Sequence, residues 1–357
     1  PWSVFDLDLG DTILSYGIGP ASVAVPGIVA GIAEASARWG RLSMLHASLP
    51  AIGLAEGGVR LTAEQAYELE LNRDLFRNSA HARATFLDHA GQPHREGEFV
   101  RQPELAAAIE ELAATGGRSM YDGAIARAIV AWSDASGGRI ALDDLASYRP
   151  IIRTPHSVRI GDAVLHTNPS PAYGGALVAD LLTWMHERHG IGWSSSHGTH
   201  DERQINASLV EAQLAILSLD RRPPRTVPPA PGEHVLHHED AVVVGQGARE
   251  WSRSPSTSHI SAIDADGMHA SVTFTVGYGS GEWIPGYGIQ FNNMLAEYDH
   301  RIVRAPGSTI PSMMTPTIWS TPGRLLSIGS AGSDRIPGAL AHICTRAGGD
   351  GMSLHDA

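Results

Sequence analysis

The sequence contains no lysine; all 26 basic residues are arginine. That excludes a P-loop lysine, a Schiff-base lysine and any catalytic lysine, and it fits a GC-rich genome. There is one cysteine, Cys344, so no internal disulfide framework and no multi-cysteine metal site can form. Cys344 itself reads as a small buried apolar residue. Positive charge is scarce: the formal net charge is −12. No basic footprint for nucleic acid is therefore present, and the acidic balance favours solubility without constraining the fold. No run of about 18 apolar residues occurs, so no membrane span is expected. The chain opens at Pro1 without a methionine and closes at Ala357 without a stop signal. Both ends are expected to be cut, and no compartment is assigned. What remains is 357 residues, 43% of them hydrophobic, enough for a sizeable core.

Apolar residues recur with helical spacing over Ile28–Trp39, after the turn Pro26-Gly27. Ala63–Phe76 reads as one long helix, with Thr62 as N-cap and Gln65 completing a capping box. Pro103–Thr115 is helical and is stopped by Gly116-Gly117. Tyr121–Ser133 is a further helix, followed by Gly137-Gly138. Ala163–Thr167 reads as a strand, and the turn-rich Asn168–Gly175 leads into a helix over Ala176–Glu187, with Gly174-Gly175 at its start. Asn206–Leu219 is another helix. Arg221–Glu233 is dense in proline and reads as an exposed linker, with irregular polar sequence continuing to about Pro255.

After the linker the period changes to two. His259–Asp264 and His269–Val276 form a predicted hairpin around Ala265-Asp266-Gly267. Thr317–Trp319 and Leu325–Gly329 are further strands, joined by Thr321-Pro322-Gly323. Helices thus dominate the first part and strands the part after the linker, which suggests a sheet completed by the C-terminal segment.

Chemistry concentrates at Ser256-Thr257-Ser258-His259-Ile260-Ser261, where a polar, proline-rich loop gives way to a strand. Downstream lie Thr273-Phe274-Thr275, the glycine turn Gly277–Gly281, and Gln290-Phe291-Asn292-Asn293. Near the end come Pro311-Ser312-Met313-Met314-Thr315-Pro316-Thr317 and Gly329-Ser330-Ala331-Gly332-Ser333-Asp334-Arg335. In this order they resemble the small-subunit motifs of the γ-glutamyltranspeptidase family. Val23–Gly27, Pro50–Gly57, Gly137–Tyr148 and Pro169–Gly175 resemble landmarks of its large subunit. Each motif alone is weak; their common order along nearly the whole chain is specific.

The resemblance implies an α+β fold, the four-layer αββα sandwich of N-terminal-nucleophile hydrolases. It implies a large-subunit portion 1–256, with 221–256 as the linker to the cleavage site, and a small-subunit portion 257–357. The two are intertwined in one domain and form a heterodimer from one precursor. Self-cleavage at Ser256–Thr257 would free the α-amino group of Thr257. A threonine hydroxyl needs an adjacent base, and an α-amino group of pKa about 8 supplies one. By resemblance Thr275 hydrogen-bonds the nucleophile and His259 is structural. Gly332 and Ser333 offer the oxyanion-hole N–H groups, each worth roughly 3–4 kcal/mol, and Ser312 binds substrate. No cofactor and no metal are required, and the partner is a small molecule with an acyl or γ-glutamyl-like group.

The glutamate grip of the family is altered. Its early arginine has no counterpart in Val4–Leu9, and the first arginine is Arg38. Met313 replaces the second binding serine, Met294 stands after Asn-Asn, Glu297 matches the aspartate that holds the amino group, and Gly277 stands for an asparagine. Loss of a bidentate arginine should cost several kcal/mol for an amino-acid head, so glutathione is not the expected substrate. One subgroup of the family, in actinobacterial pathways to alkylproline-containing products, hydrolyses a carbon–carbon bond beside a carbonyl, and this is the alternative reaction. An unprocessed homologue acting as a scaffold is the alternative from outside enzymes. His197-Gly198-Thr199-His200 and His237-His238-Glu239-Asp240 carry ligand types but lack a completed metal set. Gly277–Gly281 lacks dinucleotide-binding spacing.

Overall fold

The computed structural model describes residues 3–8, 13–191, 202–219, 257–296, 305, 307–332, 335–349, 352–355 and 357. The proline-rich segment 221–233 and both histidine-bearing loops, at 197–200 and 237–240, lie outside the described residues. The chain divides into two compact units, Pro1–Ile151 with Val276–Tyr298, and Ile152–Thr275 with Asp299–Ala357. Residues on both sides of Thr257 contribute to each unit.

The first unit opens with an antiparallel hairpin of β1 (Ser3–Asp8) and β2 (Ile13–Ile18). Its helices follow: α1 (Ile28–Trp39), α2 (Met44–Gly57), α3 (Ala63–Leu71), α4 (Arg73–Phe76), α5 (Ala80–Phe86), α6 (Pro103–Ala114), α7 (Ser119–Asp122), α8 (Ala124–Ser136) and α9 (Leu142–Ser147). The short β3 (Val59–Arg60) and β4 (Phe99–Val100) pair with each other. The capping box forms as the sequence predicts: Gln65 N–H donates to Thr62 Oγ1 (3.3 Å), and Thr62 N–H donates to Gln65 Oε1 (3.0 Å). The long helix over 63–76 does not form. It breaks at Asn72, whose backbone N–H (3.1 Å) and side-chain amide (2.9 Å) both donate to the Glu68 carbonyl and so cap the last turn of α3. The helix predicted over 121–133 likewise splits at Gly123, whose backbone leaves the helical region (φ −110°, ψ −148°) and lies against Ser119, where a Cβ would collide. Helix α2 carries Pro50 in its interior, a residue that argues against a helix on sequence alone.

Two adjacent asparagines tie the 276–298 segment into this unit. Asn292 Nδ2 donates to the Ala24 carbonyl (2.9 Å), and Asn292 Oδ1 accepts from the Ala24 N–H (3.0 Å). Asn293 is fully buried. Its amide donates to the Gly17 carbonyl (3.0 Å), and its Oδ1 accepts from the Tyr278 N–H (2.8 Å). From the other side, Tyr121 donates its hydroxyl to the Pro26 carbonyl (2.8 Å) and accepts from the Ala30 N–H (3.0 Å). Burial pushes the Tyr121 pKa up to about 12.

The second unit is built on the antiparallel sheet β10-β9-β6-β5, formed by β5 (His156–Ile160), β6 (Ala163–Thr167), β9 (Thr317–Thr321) and β10 (Arg324–Ile328). One face of it, with Ala163, Leu165, Trp319, Leu326 and Ile328, packs on helices α10 (Gly174–His189), α11 (Glu202–Leu219) and α12 (Ile336–Gly349). The hairpin β7 (Thr257–Ile263) and β8 (His269–Thr275) forms a separate two-stranded sheet in contact with β9 and β10. Strands thus precede the linker as well as follow it. Strand β6 forms where the sequence predicts it; β5, which it does not predict, pairs with β6 across Gly161-Asp162, and β9 completes the sheet from more than a hundred residues downstream.

Replacing Asn293 by alanine leaves the Gly17 carbonyl and the Tyr278 N–H without their partner. The expected loss is roughly 1–3 kcal/mol for each buried group left unpaired, read as a lowered urea midpoint of the full-length protein.

Candidate active site

Thr257 is the first residue of β7, and Thr275, the last of β8, is its register partner. The pairing continues His259↔Thr273, Ser261↔Ser271 and Ile263↔His269. Directly opposed residues share a face, so one face of the hairpin is almost wholly polar. The other carries Ile260↔Val272 and Ala262↔Ala270. The usual arrangement is inverted: Ile260 and Val272 are exposed, while Thr257, His259, Ser271 and Thr273 are partly buried.

The polar face is partly buried because it makes specific bonds to the end of the β9–β10 pair. Ser271 Oγ accepts from the Thr317 N–H (3.0 Å) and donates to the Ile328 carbonyl (3.0 Å). Thr317 and Ile328 are themselves register partners. A single hydroxyl therefore closes the end of that ladder, where two backbone groups would otherwise lack a partner. Ser327 adds a second tie by donating its hydroxyl to the Ala270 carbonyl (2.8 Å). His259 places Nδ1 at 2.8 Å from Thr273 Oγ1 and Nε2 at 2.9 Å from Ser261 Oγ. Its ring occupies the space a side chain on Gly329 would need. Desolvation lowers the His259 pKa below 6.5, which keeps the ring neutral at pH 7.

Gly329 leads into Ser330, Ala331 and Gly332. Gly332 is buried with φ +123°, a conformation that favours glycine, and its carbonyl accepts from the Arg335 N–H (3.0 Å). The segment 312–317 is held just as closely. The Ser312 carbonyl accepts from the Tyr173 N–H (3.0 Å), and Ser312 Oγ accepts from the Met314 N–H (3.0 Å). The next four carbonyls accept from side chains: Met313 from Thr315 (2.8 Å), Met314 from Asn168 (2.7 Å), Thr315 from Thr317 (3.1 Å) and Pro316 from Thr167 (3.2 Å). Gly174 and Gly175 start α10 as the sequence predicts. They are glycines because a Cβ on Gly174 would overlap the Met313 carbonyl and the Thr315 hydroxyl, and one on Gly175 would meet Thr167.

Of the residues singled out in the sequence, Thr257, Thr275, Ser312, Met313 and Gly332 belong to the second unit. Gly277 and Met294 belong to the first. Gly277 is buried in a left-handed conformation at φ +67°, one that asparagine also tolerates. The Met294 N–H donates to Asn292 Oδ1 (3.1 Å). Ser256, Ser333 and Glu297 lie outside the described residues. Sequence reading missed Ser271 and named Gly329 and Asn168 only as members of a motif and a turn. The only signal for Ser271 was its position, in step with Thr273 and Thr275 on an alternating strand. Among the described residues no group of His, Cys, Asp and Glu could hold a metal ion, and no helix is long and apolar enough to cross a membrane.

A family model described as gamma-glutamyltranspeptidase matches residues 7–222 and 224–357. The acylase ACY 1 proenzyme of Pseudomonas sp. (strain V22) is 30% identical over 345 residues, covering 91% of this chain and 61% of the relative. The glutathione hydrolase proenzyme of Pseudomonas aeruginosa is 28% identical over 357 residues, covering 92% of this chain and 63% of the relative. The chain thus spans about three fifths of the length of the curated relatives it matches. The crystal structure of cephalosporin acylase from Bacillus halodurans aligns with all of this chain and 74% of its own, at TM-score 0.72 and 20% identity. That match shows the fold: α+β, of the N-terminal-nucleophile hydrolase type.

The lowered pKa of His259 has a consequence for stability. The folded state resists protonation, so below pH 6.5 the unfolded chain binds more protons and stability falls toward the lowered folded value. His342, also lowered by burial, acts in the same sense. The Tm of the full-length protein is expected to drop as the pH falls below 6.5, and to drop less in His259→Gln.

Proposed function

The chain belongs to the gamma-glutamyltranspeptidase family, and from that premise we propose that the protein is a self-processing threonine hydrolase or acyltransferase with Thr257 as its nucleophile. The observation that carries this reading is the register of the hairpin. Thr257 opens β7 directly opposite Thr275, at the end of the hairpin's polar, partly buried face. The relatives named as proenzymes support a chain that is cut. Cleavage of the Ser256–Thr257 bond leaves fragments 1–256 and 257–357, which stay together as a heterodimer because each contributes to both compact units.

In the processed protein the Thr257 α-amino group takes the proton from the Thr257 hydroxyl as Oγ attacks the acyl carbonyl. The negative charge on the carbonyl oxygen is met by the backbone N–H groups of Gly332 and Ser333. The leaving group departs with the proton, and an acyl-enzyme remains on Thr257. Water or an amine then attacks the acyl carbon, and the hydroxyl is regenerated.

Met313 stands where, by resemblance to the family, a polar group would hold an amino-acid head, which favours an acyl group other than glutamyl. The relatives are named both as acylases and as glutathione hydrolases, so their names leave the acyl group open.

The intact mass of full-length protein tests the nucleophile. Wild type is expected as two fragments, the smaller starting at Thr257, and Thr257→Ala as one whole chain; a whole wild-type chain contradicts the reading. Turnover of γ-glutamyl-p-nitroanilide is expected to be at least a hundredfold below that of the Pseudomonas aeruginosa glutathione hydrolase. Comparable turnover contradicts the altered acyl site.

A further inference from the structure

We propose that His259 is a positioning residue: its imidazole, seated between Thr273, Ser261 and Gly329, holds the nucleophile strand in register with the 330–332 segment. The inference rests on the reading of Thr257 and Gly332 given above. His259 lies two residues from Thr257 on the same face of β7, about 7 Å along the strand. Gly329 lies three residues before Gly332. The contact between them is therefore a packed connection between the nucleophile strand and the segment that offers the oxyanion N–H. Both ring nitrogens face hydroxyls, Thr273 at 2.8 Å and Ser261 at 2.9 Å, so the ring cannot turn without losing both bonds. On its flat side the backbone of Gly329 approaches too closely for any side chain. The Ser271 bridge to Ile328 anchors the residue just before Gly329 (3.0 Å). The ring and the bridge together fix where the chain leaves β10.

His259 does not touch the reacting atoms in this account. It acts by setting the distance between two groups that do, and a misplacement of about 1 Å at such a pair can cost about a hundredfold in rate. A methyl group at Gly329 would push the two segments apart, and a shorter side chain at 259 would make room for it. The two positions should therefore be coupled.

The test uses full-length, processed protein and p-nitrophenyl acetate as the probe. The Thr257 hydroxyl attacks the ester carbonyl, p-nitrophenolate leaves, the hydroxyl proton passes to the α-amino group, and acetyl-Thr257 is located by fragmentation of the N-terminal peptide of the smaller fragment in the mass spectrometer. Gly329→Ala is expected to slow acetylation 10- to 100-fold. The pH midpoint of the rate should not move, because the base is untouched. His259→Asn should be slowed about tenfold, and His259→Asn/Gly329→Ala should be faster than Gly329→Ala alone. Additive effects, or a rate within twofold of wild type for Gly329→Ala, overturn the proposal. If Gly329→Ala yields no cleaved protein, His259→Asn alone decides, and a rate within twofold of wild type overturns it. Wild type that is cleaved but takes no acetyl group also overturns it. Wild type that stays whole removes the reading of Thr257 itself, which separates the two failures.

Discussion

The Ser271 hydroxyl is the point on which the site depends. It takes the Thr317 N–H and gives its own proton to the Ile328 carbonyl, so three strands meet at one oxygen. Two buried backbone groups at the end of a ladder need a partner, and leaving one unmade costs roughly 1–3 kcal/mol. These bonds join the polar face of the β7–β8 hairpin to the β9–β10 pair, and Ile260 and Val272 lie on the opposite face. The polar row carries Thr257 at its end.

The same constraint organises the segments that meet the hairpin. Thr317 is the last of a run whose carbonyls are held one after another by Thr315, Asn168, Thr317 and Thr167. That run begins at Ser312 and Met313, so its side chains project from a backbone with little freedom to move. Gly332 follows β10 by a few residues, and its conformation at φ +123° is one that favours glycine. In this unit side-chain hydroxyls supply much of the backbone's restraint, and a nucleophile at Thr257, as proposed, would need such preorganisation.

The elements legible in the sequence were those specified locally. The Thr62 capping box, the glycine stop at Gly116-Gly117 and the hairpin turn before Gly267 all formed where their residues indicated. Elements set by distant partners were missed or misjudged. Strand β5 pairs with β6, but its sheet closes only through β9, and α2 forms despite Pro50. Asn72 ends a helix that apolar spacing alone would continue. The sequence pairs Thr275 with Thr257 by resemblance, and the hairpin register sets the two opposite each other; the contacts of Ser271 and Gly329 come from strands distant along the chain and leave no local signal. The asparagine pair was visible only as a motif; its work, clamping Ala24, Gly17 and Tyr278, is a matter of folded geometry.

The central claim is that Thr257 attacks a carbonyl whose oxygen is held by the Gly332 backbone. A crystal structure of the processed full-length protein trapped after acetylation by p-nitrophenyl acetate tests it most directly. The account predicts an acetyl group on Thr257 Oγ with its carbonyl oxygen about 3 Å from the Gly332 nitrogen. An acetyl group on any other residue, or a carbonyl turned away from Gly332, contradicts it.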